Sequence, residues 1–173
     1  GAWILSKNTV TIKVACGYDL TGITKTLVTA NELEAQAKDA GVTVTNYVLP
    51  KSKEETIVVP YNGSVTLLYA ITVEGKGGAD FAVQDSEADL VNATINATAQ
   101  ITKDETTGMF IGTIPADAES VTFYVSRTFD QADVDEGNGY LVNTAELKGT
   151  NESTVNPDDP DENKDEEKIP GEK

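Results

Sequence analysis

Apolar and polar side chains alternate with period two through most of this chain, the signature of strands with one buried face. Val10, Ile12, Val14 and Cys16 alternate with Thr9, Thr11, Lys13 and Ala15, predicting a half-buried strand over 9–16. Trp3, Ile4 and Leu5 before it predict a short strand or a plug for one end of the core. A second strand is predicted over 23–28. Val65, Leu67, Tyr69, Ile71 and Val73 line one face of a long strand, with Thr66, Ala70 and Thr72 opposite. Further strands are predicted at 42–48, 56–59, 81–85, 88–99, 108–114, 120–128 and 139–147, separated by turn residues such as Asn62-Gly63 and Gly75-Lys76-Gly77-Gly78.

One stretch breaks the rhythm. Thr29-Ala30-Asn31-Glu32 has the spacing of a capping box, and Leu33, Ala37 and Ala40 recur at helical intervals until Gly41 supplies a stop. The pattern as a whole predicts an all-β fold, an immunoglobulin-like β-sandwich with a short helical insertion at about 30–40. The insertion is expected to pack on a sheet edge or cap the barrel end.

Charge divides the chain in two. Residues 151–173 carry nine acidic side chains and three lysines, with Pro157, Pro160 and Pro170 and almost nothing apolar. Such a composition gains little from burial and predicts a disordered acidic C-terminal tail or linker after a folded domain at 1–150. The folded part is acidic too, with 20 acidic and 10 basic residues, so a nucleic-acid partner is not expected. No histidine occurs, which removes imidazole catalysis and imidazole metal ligation. The single Cys16 reads as a small buried hydrophobe and allows no intramolecular disulfide. No run approaches the length of a membrane span. Gly1 reads as a residue left by tag removal, so a secretion signal could have been trimmed. No cofactor is expected, the chain is expected to be a monomer, and an enzyme is the least supported class.

Three polar residues are placed by alternation on inward faces. Asn143 shares its side with Leu141, Ala145 and Leu147, Lys25 with Ile23 and Leu27, and Asp85 with Phe81 and Val83. Burying an amide without a partner costs about 1–3 kcal/mol, so Asn143 needs a specific neighbour. Lys13, by contrast, alternates with Ile12 and Val14 and should face solvent. Structural alternatives stand beside this reading: a lysine snorkelling along a strand edge, an aspartate opening a turn with Ser86, and an asparagine bonded to loop backbone.

The segments Gly63-Ser64-Val65-Thr66-Leu67-Leu68-Tyr69-Ala70-Ile71-Thr72-Val73, Gly78-Ala79-Asp80-Phe81-Ala82-Val83-Gln84-Asp85, Gly112-Thr113-Ile114-Pro115-Ala116 and Leu141-Val142-Asn143-Thr144-Ala145 occur in an order that resembles a tandem repeat domain of Gram-positive cell-surface proteins. That family is similar to the isopeptide-forming, immunoglobulin-like domains of fimbrial backbone proteins. The resemblance covers about half of the chain and departs from it in the first sixty residues. It implies a secreted module on the bacterial cell surface or cell wall, structural or adhesive, with neighbouring surface-protein modules or host or other extracellular ligands as partners. Ile169-Pro170-Gly171-Glu172 is not the usual wall-anchor motif. By the same resemblance, Lys25 and Asn143 are the positions of an intramolecular isopeptide crosslink, and Asp85 is its assisting acid.

Weaker candidates remain. Asp130, Asp133, Asp135 and Asn138 crowd a glycine-containing loop with oxygen ligands suited to calcium, though without the spacing of a known calcium motif. A solvated turn explains them better, and no metal is assigned. Asn62, Asn92, Asn96 and Asn151 fit the glycosylation pattern, which matters only in a eukaryotic secretory route. The alternative function is a carbohydrate- or calcium-dependent ligand-binding module on the same scaffold.

Overall fold

The computed structural model describes residues 17–85, 87–91, 101–150, 153–156 and 163–173. The strand expected over 9–16, Lys13, Cys16 and most of the 88–99 stretch lie outside these residues. In chain order the elements are β1 (Leu20–Leu27), α1 (Glu32–Asp39), a 3-10 turn (Val44–Asn46), β2 (Ile57–Val58), β3 (Val65–Gly75), β4 (Asp80–Gln84), β5 (Asp89–Val91), β6 (Thr102–Lys103), β7 (Phe110–Thr113), β8 (Ser120–Phe129), α2 (Gln131–Glu136), β9 (Tyr140–Lys148) and β10 (Lys164–Glu172).

The strands form two sheets in a sandwich-like arrangement. One runs β1-β3-β8-β5 and the other β2-β10-β9-β4-β7-β6. All pairings are antiparallel except β10 with β2. The long β3–β8 ladder, from Val65 opposite Phe129 to Glu74 opposite Ser120, is the spine of the smaller sheet. Its inward residues Leu67, Tyr69, Ile71 and Val73 are buried, as the alternation requires. They meet Phe81, Phe110, Leu141 and Leu147 from the other sheet in one core. Phe123 lies at its centre, with ring centroids 6.2 Å from Phe81 and 6.0 Å from Phe110.

A second, smaller core covers the outer face of the β1-β3-β8-β5 sheet. Leu68 and Tyr124 point away from the main core and pack with Val28, Ala37, Val42 and Val44. Helix α1 therefore lies over a sheet face rather than at an edge or barrel end. Its cap is Asn31, not Thr29: the Asn31 side chain accepts from the Leu33 N–H at 2.8 Å. Gly41 ends it at φ +87°, with Gly41 N–H donating to the Lys38 carbonyl and Val42 N–H to the Ala37 carbonyl. The stretch 42–48, expected as a strand, instead crosses the sheet through the 3-10 turn. Val42 and Val44 are buried there against the helix, and this packing overrides their β-propensity.

The acidic C-terminal segment corrects the expectation of a disordered tail. Residues 164–172 form β10, which pairs along seven positions of β9, from Tyr140 opposite Pro170 to Glu146 opposite Lys164. Residues 153–156 are also docked. Leu20 N–H donates to the Thr154 carbonyl at 3.0 Å, and buried Ser153 accepts from the Asp80 N–H. Side-chain composition misses what holds these residues: backbone pairing and specific donors for their carboxylates. Residues 151–152 and 157–162 lie outside the described set.

Candidate functional site

The site lies where the open edge of β1 meets β9 and β10 of the opposite sheet. Within β1, Ile23, Lys25 and Leu27 point inward while Thr21 and Thr24 are exposed. Lys25 is 2% exposed. Its Nζ pairs with Oδ2 of Asp85, the residue immediately after β4, which is also 2% exposed. The Tyr69 ring, from the residue paired with Leu27, lies 4.6 Å from the same Nζ. Ammonium and carboxyl thus share an apolar interior.

Burial governs both groups. Desolvation lowers the pKa of Lys25 below the usual lysine range, against the opposing pull of Asp85. Desolvation likewise raises the carboxyl of Asp85, opposed by Lys25. Each shift favours the uncharged form, against the mutual attraction of the two groups. Tyr69 is pushed far up by burial and stays a neutral phenol.

Asn143 enters the same interior from β9, between Leu141 and Ala145, and is 3% exposed. Its Nδ2 is buried and has no hydrogen-bond partner among the described residues. The structure therefore pairs Lys25 with Asp85 directly and sets Asn143 on a strand lying against β1. It does not tie the Asn143 amide nitrogen to either of them.

Sequence reasoning missed four residues that build this corner. Glu167 is the residue opposite Asn143 in the β9–β10 ladder, so the two side chains are neighbours on the inner face. Its Oε2 accepts from the Leu27 N–H at 2.7 Å, and Lys53 donates to its Oε1 at 3.1 Å. Asp165, opposite Ala145, accepts from the Lys25 N–H at 2.6 Å. Arg127 donates to the Val142 carbonyl at 2.7 Å and packs over Phe129. A period-two signal does exist in β10, since Asp165, Glu167 and Ile169 share a face, but two acids on that face disguise it.

The calcium candidates are dispersed among other tasks. Asp130 and Asp133 form a reciprocal capping box on α2, so this stretch is a short helix rather than an open loop. Asp133 also meets Arg127 at 3.4 Å, Asp135 pairs with Lys173, and Asn138 adopts φ +54°. Among the described residues no cluster of three or more acidic or thiol side chains is placed to hold a metal ion. Beside α2, a groove of about 480 Å³ is lined by Arg127, Tyr140, Glu166 and Lys168, with Lys168 Nζ 4.6 Å from the Tyr140 ring.

No family model matches the chain, and no curated protein matches it either. Among the described residues no helix is long and apolar enough to cross a membrane. The functional reading accordingly rests on the site.

Proposed function

We propose that this chain is a structural or adhesive module of a bacterial cell-surface or fimbrial-type protein, immunoglobulin-like in its connections and locked by a Lys25–Asn143 isopeptide bond. The observation that carries the reading is the fully buried Lys25–Asp85 pair beside a strand on which the buried Asn143 amide nitrogen has no hydrogen-bond partner among the described residues. Burial eases transfer of a proton from the Lys25 ammonium to Asp85, which leaves a neutral, nucleophilic amine and a protonated acid to polarise the Asn143 carbonyl. Lys25 Nζ attacks Asn143 Cγ, forming the new N–C bond. The Cγ–Nδ2 bond breaks, and a proton from the lysine amine passes through Asp85 to the departing nitrogen. One ammonia is released and one neutral amide replaces an amine and a carboxamide.

In this reading folding supplies most of the rate, by confining amine and carbonyl to one corner. The product joins β1 covalently to β9, strands of opposite sheets, and so resists pulling and proteolysis. Such a bond suits a stalk, and no turnover of an external substrate is part of this reading.

Intact mass of the denatured protein tests it. The expected mass is lower than the sequence mass by one ammonia, and Lys25→Ala or Asn143→Ala restores the full value. An unmodified mass in the wild-type chain after prolonged folding removes the crosslink.

A second reading, ligand binding, draws on the groove beside α2, where half-exposed Tyr140 offers an aromatic face. It expects saturable glycan binding lost in Tyr140→Ala with the fold intact. A flat titration removes it.

A further inference from the structure

Among the described residues β1 is an edge strand, and its outer N–H groups would ordinarily be left to water. Val28 N–H turns toward β3 and donates to the Leu68 carbonyl at 2.9 Å, so the alternate donors on Lys25 and Leu27 face away from that sheet. Neither meets a backbone carbonyl. The Lys25 N–H donates to Asp165 Oδ2 at 2.6 Å and the Leu27 N–H to Glu167 Oε2 at 2.7 Å. Two carboxylates at i and i+2 of β10 thus hold two donors at i and i+2 of β1. Charge-assisted bonds of this kind are about twice as strong as neutral ones.

The geometry points to Asp165 and Glu167 as positioning residues for the crosslink: docking of β10 fixes the register and depth at which Lys25 meets Asp85 and Asn143. This inference rests on the proposed function. One acid grips the backbone of the nucleophilic residue itself, and the other lies opposite Asn143 in the adjoining ladder. A one-residue slip of β1 would turn Lys25 to the outer face and Thr24, now exposed, to the inner one. The bond should therefore close only after residues 163–173 have docked, making the last strand in the sequence a checkpoint on a reaction whose atoms lie on earlier ones.

The test uses the full chain, sampled at intervals after synthesis and read by intact mass. Asp165→Ala with Glu167→Ala should lose ammonia at least about tenfold more slowly than wild type, since a misplacement of about 1 Å costs this much or more. Asp165→Asn with Glu167→Gln keeps an acceptor oxygen at each position and should restore most of the rate. A double alanine variant that is less thermostable yet crosslinks at the wild-type rate overturns the inference, because the acids would then be structural only. Should that variant not fold, Asp165→Ala alone, at a half-exposed position, carries the same expectation and the same refutation. A wild-type chain that never loses ammonia is a different failure: it removes the proposed function and this inference with it.

Discussion

Replacing Asp85 with alanine in an Asn143→Ala background isolates the buried ion pair from the crosslink, because no isopeptide can form there. Lys25 then keeps its buried position, with its side chain entirely shielded from water, and loses the carboxylate that its ammonium touches. Breaking a buried pair from one side costs about 3–5 kcal/mol, far above the 0–1 kcal/mol of a surface pair. For a chain of 173 residues that corresponds to a fall in Tm of roughly 6–20 °C, at about 2–4 °C per kcal/mol. The deficit has a definite pH dependence. The Lys25 pKa is lowered in the fold, so its burial cost is fully present below that folded value. It is relieved as pH rises through the folded value toward the unfolded 10.5, where the unfolded chain still holds a proton that the native state has shed. Thermal unfolding followed by circular dichroism at several pH values between neutral and alkaline reads both quantities. A deficit below about 1 kcal/mol at neutral pH, or one that grows as pH rises, would falsify the claim that Lys25 is desolvated and held by Asp85.

The second core gives a prediction unconnected with the crosslink. Leu68→Ala removes a fully buried side chain beneath α1 and should cost about 2–5 kcal/mol in denaturant unfolding. Hydrogen exchange in that variant should quicken first in Glu32–Asp39 and only later in the β3–β8 ladder. Equal quickening everywhere would mean that α1 is not a separable layer.

Much of the fold was legible because period two is a local property. The inward faces of β1, β3, β4 and β9 follow from alternation, and so does the burial of Lys25, Asp85 and Asn143 among apolar neighbours. Where alternation competed with something else it misled. The stretch 42–48 has the composition of a strand, yet Val42 and Val44 are buried beneath α1 and the chain passes through a 3-10 turn at Val44–Asn46. Asp130 and Asp133 look like metal ligands in sequence because a capping box and a ligand loop draw on the same residue type.

What the sequence by itself determined is several of the strands, their buried faces and the identity of three polar residues on those faces. Side-chain alternation is dictated by backbone geometry within a single strand. Which strands become neighbours is not. Tertiary structure alone brought Lys25 to Asp85 across 60 residues, and turned an acidic segment that composition assigns to solvent into a strand of the larger sheet. The physical reason is that β10 is held less by hydrophobic burial, which composition records, than by a backbone ladder on β9 and by two carboxylates on the open edge of β1. Those partners exist only once the sandwich has formed.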